Sequence, residues 1–231
     1  MKDIFRRKIS GEYRHFKNGS YHNVKEQFVI HQDSEGTTTK AKLVKETKPK
    51  MEAELLFLSS WQGNPIGGRL IVVREGKKQG TYFRVGKNLF YTWSGKEDDP
   101  LSFPIDCPYI VTSTFLSIRN HFVTMLKHEG LEQFVRPTIW LSTGSNNIHP
   151  STPVRLDGRL SKLDETRQGK LTKTLEEKYL IEIFTQSPFP AKKHVFWFSP
   201  QLDIITEWNF FVQNIETTYV LEKLVVEKSE N

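Results

Sequence analysis

Turns punctuate this chain at short, regular intervals, and that cadence limits its fold more than any other feature. Glu12–Lys17 is cut at Asn18-Gly19, Tyr21–His31 is cut at Asp33–Gly36, and Thr37–Glu46 follows. The same exchange of β-branched or aromatic runs with Gly, Asn and Asp continues to Trp93 and resumes after Trp140. Such runs are too short for helices, their residue types suit a pleated surface, and Asn-Gly supplies the positive φ of a tight hairpin. The expected fold class is mainly β: a curved antiparallel sheet, half-barrel or barrel-like, wrapped around one α-helix near 112–127.

That helix follows from a change of period. Val111, Phe115, Ile118, Phe122 and Leu126 are spaced by three or four residues and form one stripe. Thr112 or Ser113 is placed to cap its start and Gly130 its end, with Lys127 and His128 near the negative pole of its dipole. The 231 residues are expected to form a single β-rich domain, with a first β half at 11–94, the helix at 112–128 and a second β half at 138–228.

Two strands read differently from the rest. Leu55–Leu58 and Leu70–Val73 are continuous apolar runs, the pattern of central strands covered on both faces. In Tyr21–His31, Val24, Phe28 and Ile30 share a face, with His22 and Glu26 breaking the alternation. Residues 95–108 hold three prolines and read as an irregular crossing, and Ser161–Glu177 is too polar to assign to a strand.

The net charge of +6 is uneven. Residues 1–50 hold 12 Lys and Arg against 6 Asp and Glu, and the rest of the chain is balanced. Lys40, Lys42, Lys45, Lys48 and Lys50 read as a lysine-studded edge strand over 37–50, a device that discourages pairing with another chain, and alternatively as an interaction surface. Met1–Lys8 is basic but lacks an apolar run behind it, no segment reaches the ~20 apolar residues that span a bilayer, and Cys107 is a lone thiol. These features lead us to expect a cytoplasmic protein.

No motif survives for chemistry. The seven histidines lack paired metal-ligand spacing, Thr143–Asn147 lacks a nucleophile elbow, Gly63, Gly67 and Gly68 lie between strands instead of opening a helix, and Glu97, Asp98 and Asp99 read as a solvated loop. No cofactor and no metal are expected. Lysines and aromatics are separated in sequence, so there is no strong nucleic-acid signal.

The order Glu12–Phe16, Tyr21–Gln32, the Pro-flanked crossing into Ile110–Phe122, and the strands around Val195–Pro200 and Thr218–Glu227 resembles uncharacterised bacterial β-rich proteins. These are similar in layout to glycolipid-binding domains and lipoprotein carriers. The resemblance implies a curved sheet around a helix and transfers no functional residue.

The aromatics carry what functional information there is. Strands 89–94 and 195–199 are apolar on both faces, as in a sheet enclosing a hydrophobic cavity. The function expected is non-catalytic binding of a lipid-like or other hydrophobic small molecule in that cavity. Trp61, Tyr82, Tyr91, Trp93, Trp197 and Trp208 are the candidates for its apolar part, and Arg69, Arg84 and Arg119 for an anionic head group. The alternative is an enzyme using a cavity carboxylate or histidine, such as His121, as general acid or base.

Overall fold

The computed structural model describes residues 7–48, 50–93, 101–104, 110–130, 132–141, 154–184 and 192–228. The first run of strands is β1 (Arg7–Lys17), β2 (Ser20–Gln32), β3 (Thr37–Lys45), β4 (Met51–Ser59), β5 (Pro65–Arg74), β6 (Lys77–Val85), β7 (Asn88–Trp93) and β8 (Leu101–Pro104). Then come β9 (Ile110–Ser113), the helix α1 (Ser117–Glu129), and β10 (Gln133–Leu141), β11 (Val154–Gln168), β12 (Leu175–Ile183), β13 (Lys193–Ser199), β14 (Ile204–Val212) and β15 (Ile215–Lys228).

All fifteen described strands join one sheet in the order β8-β7-β6-β5-β4-β3-β2-β1-β15-β14-β13-β12-β11-β10-β9. The chain starts in the middle, meanders out to one edge, crosses to the other and meanders back to lie beside its own first strand. Every pairing is antiparallel except β9 on β10. The crossing forces the curvature: β8 ends at residue 104 and β9 begins at 110, so the opposite edges lie no more than about 20 Å apart. The sheet curls around α1 without closing. Bulges at Glu12/Tyr13 and Arg14/Phe16 in the central strand add bend where the sheet must turn.

The concave face is the core. Ile9, Tyr13, Phe28, Ile30, Leu43, Leu55 and Phe57 point into it and are buried, and α1 fills the remaining space with Ile118, Phe122, Val123, Met125 and Leu126. Gly11 lies opposite Phe28, and a Cβ there would stand 2.6 Å from its ring. The missing side chain lets Phe28 stack on Tyr13 with centroids 4.9 Å apart.

Three expectations need correction. The helix starts at Ser117, because β-branched Ile110–Thr112 pair with β10 as a strand and neither Thr112 nor Ser113 caps it. Residues 161–177 are largely strand, and their polarity is explained by cross-strand ion pairs: Lys162–Glu177, Lys178–Glu165 and Arg167–Glu176. The lysine-rich β3 is interior, paired to both β2 and β4, so its lysines guard no edge, and Lys40 and Lys42 project from the outer face.

The apolar runs of β4 and β5 alternate after all. Leu55, Phe57 and Leu70 turn inward, while Leu58 and Val73 are exposed on the outside, with nothing among the described residues covering them.

Candidate functional site

A charged residue opens the interior. Glu26 on β2 is fully buried, and its carboxylate accepts hydrogen bonds from the backbone N–H groups of Leu116 (2.6 Å) and Ser117 (2.9 Å). It caps α1 from another strand, supplying the acceptors that the helix's own N-cap residue lacks. Burial pushes its pKa up to about 7 against the lowering effect of those hydrogen bonds and of Arg119.

The rest of the interior polar cluster is engaged in part, with His15 Nε2 and Asn120 Nδ2 buried and without a hydrogen-bond partner among the described residues. Arg119 donates to the Ser113 carbonyl at 3.1 Å and lies over the rings of Trp208 (4.9 Å) and Tyr219 (5.7 Å). Tyr13 donates to the Ile205 carbonyl and Asn120 accepts from the Ile205 N–H. His15 packs edge-on against Tyr219, and burial beside Arg119 holds its pKa well below the usual range.

His121 sits between two backbone carbonyls, Nδ1 2.8 Å from Gly63 O and Nε2 2.8 Å from Val111 O. Desolvation outweighs those two acceptors and brings its pKa to about 4. The void flanking it, between α1 and β2–β4, measures about 30 Å³, room for one or two waters. With both ring nitrogens turned to the backbone, His121 fastens α1 in place and has no nitrogen free for a substrate.

The outer face offers more space. A trough of about 520 Å³ runs across β2–β5, lined by Gln27, Val29, Lys40, Lys42, Glu54, Leu56 and Arg69. One row of directly opposed residues crosses it: Val29, Lys40, Leu56, Arg69, then Tyr82 on β6. Apolar and cationic residues alternate along that row. Lys42 pairs with Glu52 at 2.8 Å, whereas Lys40, Arg69 and Arg84 have no ion-pair partner among the described residues. The Tyr82 ring leans back over Gly80, where a Cβ would stand 3.0 Å from it.

The residues singled out from sequence divide between the two faces. Arg69, Tyr82 and Arg84 come together outside, on β5 and β6. Trp61 is exposed in the β4–β5 loop, its ring edge-on to His128 at 4.7 Å. Trp197 lies half-buried on the outer face beneath Arg167 (4.2 Å) and Lys178 (5.5 Å). Trp208 and Arg119 are in the packed interior, Trp208 donating to Nδ1 of His194 at 3.0 Å. Tyr91 and Trp93 lie opposite Phe83 and Thr81 in register, and their side chains are outside the described set, as are Cys107, His149, Glu97–Asp99 and Thr143–Asn147.

Of the trough residues, Gln27, Val29, Glu54 and Leu56 were not singled out as site candidates from sequence, while Lys40 and Lys42 were read as part of the lysine-rich strand. Among the described residues, no three His, Cys, Asp or Glu side chains gather as a metal site, and no helix is long and apolar enough to cross a membrane.

No protein-family model and no curated protein sequence matches the chain. Solved structures do. A β-barrel-like protein of the domain of unknown function DUF1849 from Brucella abortus superposes with a TM-score of 0.60 at 10% identity, over 97% of this chain and 98% of that one. A DUF1089 family protein from Pseudomonas aeruginosa gives a TM-score of 0.50 at 11% identity, over 78% and 86%. At such identities the likeness concerns fold, and in fold this chain resembles uncharacterised bacterial β-rich proteins whose sheets are barrel-like.

Proposed function

We propose that this protein binds an apolar or amphipathic small molecule without performing chemistry on it, and that the ligand lies in the outer trough across β2–β5. The observation that carries this reading is the row Val29–Lys40–Leu56–Arg69, an apolar floor beside cations that have no ion-pair partner among the described residues, in a depression of about 520 Å³. That volume falls within the range of small-molecule sites. The concave side supports the same placement by contrast, since α1 and the buried aromatics occupy it. An apolar chain gains affinity from the area it removes from water, roughly 25 cal/mol per Å² before association costs. Arg69 adds a fork of donors for a carboxylate or phosphate.

Calorimetric titration with dodecyl phosphate below its micellar concentration tests the proposal. Saturable binding is expected, weakened about tenfold or more by Leu56→Glu, which puts a like charge on the floor beneath the anion. Absence of binding to the wild-type protein, or affinity indifferent to Leu56→Glu, refutes it.

A further inference from the structure

We infer that the outer face from β5 to β7 docks on an anionic lipid surface, an interaction that rests on the trough reading only for the source of the trough's ligand. Ile66, Val73, Tyr82 and Phe90 are all exposed there, between 38% and 46% accessible. Apolar side chains of this size in one neighbourhood mark a surface that meets something other than water.

Charge says what. On that face β5 and β6 carry Arg69, Lys78 and Arg84, with Lys87 in the turn before β7, against the single acid Glu75 in the turn between β5 and β6. Arg84 projects from the row next to Arg69, and Phe90 is its register partner on β7. A second copy of the same face would set these cations against one another, which disfavours self-association. A single nucleic-acid strand calls for a run of aromatic platforms, whereas Tyr82 and Phe90 stand here among aliphatic Ile66 and Val73. Aliphatic and aromatic groups ringed by Lys and Arg suit the headgroup region of a membrane carrying negative lipids, each cation near the surface adding attraction. Docked this way, the face brings the adjoining trough to the bilayer, where amphiphiles reside.

Co-sedimentation with vesicles tests the inference, using phosphatidylcholine alone and phosphatidylcholine mixed with phosphatidylserine. The wild-type protein is expected to pellet with the mixed vesicles and not with the zwitterionic ones, and to be released as salt shortens the screening length. Lys87→Glu with Phe90→Ser, both outside the trough lining, should lower the partition coefficient about tenfold or more while leaving dodecyl phosphate affinity unchanged. Lys77→Glu with Lys78→Glu, at exposed positions beside a turn, should weaken partition likewise and provides a second variant. Equal binding to both vesicle types, no binding to either, or capture of a single-stranded oligonucleotide in place of vesicles overturns docking. Vesicle binding without dodecyl phosphate binding sustains docking and removes the trough reading, so the two fail separately.

Discussion

The imidazole Nδ1 of His121 lies 2.8 Å from the carbonyl oxygen of Gly63, and this contact clamps the β4–β5 loop onto α1. The loop comes close because Gly63 has no side chain: a Cβ there would stand 2.4 Å from the His121 carbonyl oxygen and 2.8 Å from the Met125 nitrogen. From its other nitrogen, His121 reaches Val111 on the edge strand β9. One ring thus stands between helix, loop and far edge of the sheet, and in its neutral form it donates to one of the two carbonyls.

Gly63→Ala should therefore be among the most damaging single-methyl additions in the chain. The residue has φ +88, a conformation that L side chains avoid, and the new methyl would meet helix backbone that cannot swing aside. We expect a loss of about 2 kcal/mol or more in urea unfolding, and a change in the fluorescence of Trp61, whose edge-on contact with His128 depends on the same loop. Unaltered stability would mean the loop is not clamped.

Burial of Glu26 gives stability a pH dependence whose sign is fixed. Its folded pKa of about 7 exceeds its ordinary 4.5, so between these values the unfolded chain has released a proton that the folded chain retains, and Glu26 makes stability fall as pH rises through that window. His121, lowered from 6.5 to about 4, acts oppositely: from pH 6.5 down to 4 the unfolded chain gains a proton that the folded chain refuses, so stability falls on acidification. His15 shares the sign of His121. Each fully titrated shift at Glu26 or His121 corresponds to about 3 kcal/mol. The Glu26 and His121 terms therefore oppose each other between pH 4.5 and 6.5. In Glu26→Gln the slope of unfolding free energy against pH should become more positive across pH 4.5–7, measured by urea titration at each pH. An unchanged slope would contradict a buried, titrating Glu26.

Much of this was legible in the sequence and some of it could not be. Hairpin turns at Asn18-Gly19 and the stripe Ile118–Phe122–Leu126 are local signals, and strand and helix follow from them. Glu26 was visible as an interruption among Val24, Phe28 and Ile30, yet its partners lie about ninety residues away at Leu116 and Ser117. Its role as a cap thus depends on tertiary contact. The same holds for β11 and β12, where polar residues become strand through pairs such as Arg167–Glu176 at 2.8 Å. The trough eluded prediction for a related reason: the runs Leu55–Leu58 and Leu70–Val73 signal two covered faces, and composition does not disclose that one face stays open.

Arg167 gives a test of that long-range pairing. Its guanidinium bonds Glu176 at 2.8 Å and Glu207 at 3.1 Å while covering Trp197 at 4.2 Å. Glu176 is 2% exposed, so Arg167→Ala removes a cation from a buried carboxylate and is expected to cost about 1–3 kcal/mol. Arg167→Lys should restore only part, because an ammonium cannot serve two carboxylates and a ring with one planar fork. Thermal unfolding of both variants measures the difference, and equal melting temperatures for wild type and Arg167→Ala would deny the network any role.

Trp208 and Leu56 separate the inside of the sheet from the outside. Trp208 is fully buried, stacks on Phe196 with centroids 4.8 Å apart and donates to His194. Trp208→Phe leaves a smaller ring and removes the indole donor, so we expect a loss of about 1–3 kcal/mol of stability with dodecyl phosphate affinity unchanged at a temperature where the variant is folded. Leu56→Glu should do the reverse. On the outer face, the new carboxylate stands in register between Lys40 and Arg69 and pairs with them at little cost to folding, while filling the trough with the charge an anionic amphiphile brings. Calorimetric affinity and melting temperature, measured on both proteins, should therefore move independently. If Trp208→Phe instead weakens the amphiphile and Leu56→Glu leaves it bound, the ligand enters between sheet and helix, and α1 must yield to admit it.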